Sequence, residues 1–140
     1  MVKMRLRNLM MLLSVSLVIG VVLTAGCVQA QIIEDVTAQE AFTLIQNNRD
    51  NTDFVVIDVR TPEEFAEGHV ENAININFRS ENFRDEIDRL DKDKTYLIYC
   101  RSGMRSSDAL NIMKELNFGK IYHMTGGIIE WTEERLPTIK

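Results

Sequence analysis

Six consecutive residues, Cys100-Arg101-Ser102-Gly103-Met104-Arg105, hold the side chains of this chain best suited to covalent chemistry. They follow the apolar run Thr95-Tyr96-Leu97-Ile98-Tyr99, which has the pattern of a buried strand. A helical pattern comes next, from about Ser106 to Leu116, with Ala109, Leu110, Met113 and Leu116 on one face. A turn between a strand end and a helix N-terminus can converge successive backbone N–H groups into an anion-binding concavity, and the helix dipole adds partial positive charge. Gly103 permits dihedrals that other residues resist, and Arg101 and Arg105 add two permanent charges. Each of these favours a thiolate over a thiol. An ordinary thiol, with a pKa of about 8.5, is only about 3% ionised at pH 7, and roughly 2 kcal/mol of stabilisation would make it half ionised. The same cradle suits a sulfur-bearing anion and then a persulfide on Cys100.

The elements around this turn alternate. Thr37 with Glu40 makes a capping box ahead of a helix running to about residue 46, with Phe42, Leu44 and Ile45 as apolar positions. Phe54-Val55-Val56-Ile57 is a short β-branched run ending at Asp58-Val59-Arg60. Thr61-Pro62-Glu63-Glu64 opens a second short helix, with Thr61 as N-cap, Pro62 at the first helical position and Glu64 making the reciprocal contact. Gly68 stops it. Residues 73–76 suggest a brief strand, and Ser80 is a candidate cap for a helix carrying Phe83, Ile87 and Leu90. Residues 120–122 suggest a last strand, and Gly126-Gly127 opens a terminal helix with Ile128, Ile129 and Trp131. Continuously apolar strands separated by helices argue for an α/β fold with a mostly parallel sheet. In such sheets the binding crevice lies at the carboxyl ends of the strands, where Cys100 is expected.

Residues 1–30 have a different composition. Lys3, Arg5 and Arg7 form a basic start, and residues 9–23 are apolar except for Ser14, Ser16 and Gly20. A membrane span needs roughly 20 apolar residues, so this shorter run fits a signal segment better. Leu23-Thr24-Ala25-Gly26-Cys27 resembles a lipoprotein signal that would lipidate Cys27, although Thr24 stands where an aliphatic residue is usual. Val28-Gln29-Ala30 suits ordinary cleavage after Ala30, and an uncleaved anchor is the third option. All three place the domain, residues 32–140, outside the cytoplasm, touching the membrane only through the leader or its lipid. Without the leader the charge is about −8, from 13 Lys and Arg against 21 Asp and Glu. Such a balance argues against nucleic acid as a partner. Of two cysteines, Cys27 is lost or lipidated, so Cys100 is left with no internal disulfide partner.

Four pieces in order carry a resemblance. They are Asp58-Val59-Arg60 with Thr61-Pro62-Glu63-Glu64-Phe65; Gly68-His69-Val70 with Ala73-Ile74-Asn75; the Cys100-to-Arg105 turn; and Gly126-Gly127-Ile128-Ile129-Glu130-Trp131. From about Val36 to Pro137 the chain resembles a single-domain rhodanese-like sulfurtransferase of the exported, phage-shock type. The resemblance implies an open, mostly parallel five-stranded sheet with helices on both faces. It implies that Cys100 takes a sulfane sulfur from a small anionic donor such as thiosulfate and yields it to a thiol, cyanide or protein acceptor. No metal or organic cofactor is implied. Many members have a glycine where this chain has Asn72, a residue that tolerates a left-handed backbone at modest cost.

Within the turn, Arg101, Ser102, Gly103, Met104 and Arg105 are the candidate substrate-binding residues. Arg105 either ligates the anion or is tied to an acidic residue and orients the turn from behind. Asp58 and Arg60 are expected to hold the loops around the site. His69 is expected to be a core or loop histidine, because no ligand-like neighbour accompanies it and His123 is far off in sequence. Related catalytic loops of phosphatases and arsenate reductases place five residues between Cys and Arg; four intervene here, a narrower cradle. A persulfide carrier, or a binding module that keeps the fold, is the non-enzymatic alternative.

Overall fold

A computed structural model of the chain describes residues 30–140. Nearly all of the leader, with Cys27 and its competing processing signals, lies outside the described residues. Five strands, β1 (Ile32–Val36), β2 (Phe54–Asp58), β3 (Ile74–Asn75), β4 (Thr95–Tyr99) and β5 (Lys120–Met124), form one sheet in the order β1-β5-β4-β2-β3. Every pairing in it is parallel. The helices are α1 (Ala38–Asn47), α2 (Pro62–Glu67), α3 (Phe83–Asp88), α4 (Met104–Glu115) and α5 (Gly127–Glu133). The α/β class, the five-stranded parallel sheet and its helical cover agree with expectation.

Alternation along the strands divides the core into two layers. Ile57, Tyr96, Ile98 and Ile121 face Phe83 and Ile87 of α3 and Ala109, Leu110 and Met113 of α4. Val56, Leu97, Tyr99 and Met124 face Ala38, Ala41 and Ile45 of α1 and Ile128 and Trp131 of α5. Strands covered on both sides lose the apolar–polar alternation, which is why β2 and β4 look uniformly apolar in sequence. Burying one such side chain contributes roughly 1.5–3 kcal/mol. Trp131 is buried against the edge of Phe42, and its indole N–H donates to the Pro137 carbonyl at 3.0 Å.

Both expected capping boxes form: Thr37 with Glu40 opens α1, and Thr61 with Glu64 opens α2, where Pro62 occupies the first turn. Asn72 has φ 62°, the left-handed conformation anticipated for it.

Two local expectations are corrected, and one strand is added. The sequence pattern gives no strand over Ile32–Val36, yet β1 forms the outer edge beside β5. Its exposed, charged residues carry no apolar run to signal it, and only the partner strand makes it β. Ser80 does not cap α3; Asn82 holds that position without a side-chain bond, while the Ser80 hydroxyl accepts the Asn82 N–H at 3.3 Å. Finally, α4 starts at Met104 rather than near Ser106, because Gly103 takes φ 92° and turns the chain into the helix sooner. Met104 and Arg105 therefore belong to the first helical turn.

Candidate active site

Cys100 follows β4, the third of the five strands across the sheet, and the ends of β2 and β5 flank it. The crevice position follows from this topology. On one side lie Asp58 and Arg60; on the other, Thr125 to Gly127 lead from β5 into α5.

The turn is folded tightly about its own sulfur. The Gly103 N–H donates to Cys100 Sγ at 3.1 Å, and the Ser106 hydroxyl lies 3.4 Å from the same atom. Gly103 offers no side chain to cap α4, so the sulfur acts as the acceptor at the helix mouth. Hydrogen bonds of this kind favour negative charge on sulfur. A Cβ on Gly103 would fall 2.0 Å from the Thr125 carbonyl oxygen, so only glycine fits between the turn and the end of β5. Gly127, at φ 60°, is as closely fitted; a Cβ there would stand 2.5 Å from the Arg101 carbonyl oxygen and 2.6 Å from that of Cys100. The N–H groups of Ile128 and Ile129 then donate to those carbonyls at 2.9 and 3.1 Å. Gly127 thus does more than permit a tight helix entry: it lets α5 clamp the turn.

Asp58 and Arg60 tie the end of β2 to the loop at Gly68. Both are buried, and the guanidinium bonds the carboxylate at 2.7 to 3.1 Å and the Gly68 carbonyl at 2.7 Å. Burial opposes the charge on Arg60, but the Asp58 carboxylate more than offsets this and raises its pKa above the ordinary range. Asn75 donates to the carbonyls of Asp58 and Arg60 at 3.0 and 2.9 Å. The buried Tyr99 hydroxyl accepts the Val70 N–H at 3.1 Å; burial, above all, pushes its pKa up.

Arg105 takes the second of its two expected roles. Its two terminal nitrogens bond Glu64 Oε2 and Oε1 at 2.7 and 2.8 Å, so a carboxylate of α2 holds it. Those bonds from Arg105 bring the Glu64 pKa down to about 2, and Arg105 is raised in turn. Arg101, Ser102 and Met104 stand exposed at the rim, Met104 at 77%. Arg101 also borders a cleft of about 330 Å³ shared with Arg60, Glu64, Ile129, Thr132 and Thr138.

Cys100 itself is only 1% exposed and does not line that cleft, which corrects the expectation of a thiol open to the crevice. The physical reason is the short turn, which closes over its own sulfur. His69 is a loop histidine as expected: it stacks on Phe65 at 3.6 Å, and its Nδ1 bonds the Phe65 carbonyl at 2.9 Å. No cluster of metal-ligating side chains occurs among the described residues.

Three residues in a chain of contacts leading away from the sulfur were not anticipated as part of the site. Ser106 and His123 are buried, with Ser106 Oγ 2.9 Å from His123 Nε2, and His123 Nδ1 is 3.0 Å from Asp35 Oδ1. A polar residue at an inward-facing strand position was the available signal for His123. Its partners were hidden because they come from α4 and β1.

Comparison with known proteins agrees with this architecture. The profile of the family described as "Rhodanese-like domain" matches residues 39–134. A sulfurtransferase of Allochromatium vinosum is 33% identical over 97 residues, covering 69% of this chain and 89% of that protein. A tRNA uridine(34) hydroxylase of Enterobacter sp. is 37% identical over 98 residues, but the match covers 63% of this chain and only 28% of that protein. Among solved structures, a rhodanese-related protein of Thermoplasma volcanium superposes with a TM-score of 0.63 at 30% identity, covering 76% of this chain and 97% of that one. With most of its length matched in sequence and fold, and with sulfurtransferases among its relatives, this chain belongs to the rhodanese-like domain family.

Proposed function

We propose that the protein transfers sulfane sulfur through a persulfide on Cys100, from a small anionic donor of the thiosulfate type to a thiophilic acceptor. The observation that carries this reading is the sulfur's place at the mouth of α4, receiving the Gly103 N–H at 3.1 Å with the Ser106 hydroxyl 3.4 Å away. In the first half-reaction the thiolate attacks the donor's outer sulfur. The donor S–S bond breaks, and for thiosulfate, sulfite departs with the bonding pair. In the second, a thiolate or cyanide attacks the outer sulfur of the persulfide and Cys100 leaves as thiolate. The exposed Arg101, beside the cleft, is the cation that draws the donor. Ser102, Gly103 and Met104 shape the entrance, and Arg105 keeps the turn in register through Glu64.

The composition of residues 1–30 supports a setting outside the cytoplasm for this chemistry, with Cys27 lipidated, the chain cleaved after Ala30 or the segment kept as an anchor. Acceptors in that setting are thiols or exported proteins. The near-complete cover of Cys100 favours a second reading, a persulfide carrier that hands sulfur only to a docked protein.

Incubation with thiosulfate followed by intact mass tests both readings: a gain of about 32 Da that is absent in Cys100→Ser supports persulfide formation. Turnover in a thiosulfate:cyanide assay, lost in Cys100→Ser, supports the enzyme. A mass gain without turnover supports the carrier. No gain after prolonged incubation overturns both.

A further inference from the structure

We propose that Ser106, His123 and Asp35 form a proton path that ionises the Cys100 thiol, with Ser106 the link and His123 the proton acceptor. The proposal deepens the sulfur-transfer reading and rests on it. Four groups lie in sequence: Cys100 Sγ, Ser106 Oγ at 3.4 Å, His123 Nε2 at 2.9 Å from that oxygen, and Asp35 Oδ1 at 3.0 Å from His123 Nδ1. Three separate elements supply the last three residues, α4, β5 and β1, and the parallel register sets Asp35 directly beside His123.

Hydrogen-bond chemistry fixes the direction of the chain. Nδ1 faces a carboxylate, which can only accept, so Nδ1 carries a proton. In the neutral imidazole Nε2 is then a lone pair, and the Ser106 hydroxyl must donate to it. With its single hydrogen spent there, Ser106 Oγ can only accept from Cys100 S–H. The alternative donations, to Cys100 Sγ at 3.4 Å or to the Gly103 carbonyl at 3.1 Å, would each leave Nε2 facing an oxygen with no proton between them.

The reverse arrangement completes the path. The thiol proton passes to Ser106 Oγ as the serine proton passes to His123 Nε2. The products are a thiolate, a neutral serine and an imidazolium held by Asp35. Ser106 now donates to the thiolate and accepts from Nε2–H, so every group stays bonded in both states. Only S–H, O–H and N–H bonds change, and no electron is gained or lost. The buried position of Ser106 and His123 keeps water from replacing either link, while Asp35, with 69% of its side chain exposed, connects the far end to solvent. Ser106 is thereby assigned contact with the reacting sulfur, and His123 and Asp35 act through it as positioning residues.

The test uses the full chain at pH 7 and two readouts: thiolate ultraviolet absorbance, taken as the difference from Cys100→Ser so that Cys27 cancels, and the rate of Cys100 alkylation by iodoacetamide. His123→Gln keeps an acceptor for the serine hydroxyl but cannot hold the proton. It should lower both readouts by about tenfold, as should Ser106→Ala, and the double variant should fall no further than either alone. Asp35→Asn, on the surface, should lower them by about threefold without disturbing the core. If Ser106→Ala fails to fold, His123→Gln and Asp35→Asn carry the test. His123→Gln within twofold of wild type, or losses that multiply in the double variant, would overturn the path. The same samples are then treated with thiosulfate. If the thiolate signal depends on His123 but the wild type gains no mass, the sulfur-transfer reading fails and the proton path stands.

Discussion

Glu64 of α2 and Arg105 of α4 meet across the crevice in a two-pronged ion pair, and the same carboxylate accepts the Thr61 N–H at 3.1 Å. One side chain thus caps α2 and anchors the helix that begins at the reactive turn. The pair is partly shielded, with 18% of the Arg105 side chain and 26% of that of Glu64 exposed. Discounted for that solvent contact, it contributes on the order of 1–2 kcal/mol. Glu64→Gln should lower stability by about that amount at pH 7, measured as a urea midpoint. Because the folded-state pKa lies below the ordinary value of 4.5, at about 2, this contribution is full above pH 4.5 and lost as pH falls toward 2. The gap between wild type and Glu64→Gln should therefore close over that window; a gap that persists at pH 2 would contradict the assignment.

Arg105→Ala should have a kinetic as well as a structural effect. With Glu64 released, the first turn of α4 loses its tether to α2, and alkylation of Cys100 at pH 7 should slow by a few-fold. Identical alkylation from pH 6 to 9 would show that the tether does not govern the turn.

Asp58→Ala leaves the buried guanidinium of Arg60 without its carboxylate. Removing one partner of a buried pair costs about 3–5 kcal/mol, because the remaining charge is uncompensated. Thermal unfolding should register the loss. The double replacement Asp58→Leu with Arg60→Met should recover part of it, whereas an equally unstable double variant would point to a role beyond the pair.

Gly103→Ala tests the fit between the turn and β5. The backbone has φ 92°, and the new carbon would overlap the Thr125 carbonyl oxygen. Strain and overpacking together should cost about 3 kcal/mol or more. A soluble variant that alkylates like wild type would show that the turn has another low-energy shape.

The cover over Cys100 makes a size-dependent prediction. A small alkylating reagent should react at least tenfold faster than a bulky aromatic disulfide, a difference of about 1.4 kcal/mol in barrier. Equal rates would mean that the turn opens freely in solution.

Local chemistry made much of this legible before any coordinates. The capping boxes at Thr37 and Thr61, the buried strands β2 and β4 and the start of the turn at Cys100 each depend on residues close together in sequence, and each appears where the pattern put it. Tertiary structure decided the rest. Strand β1 exists because β5 is there to pair with it, and Arg105 turned to Glu64 because α2 packs within its reach. The meeting of Ser106 with His123 and Asp35 arises where three segments far apart in the chain converge. Periodicity and capping act over a few residues, but parallel strand register brings together positions as distant as 35 and 123, and no short-range rule encodes that.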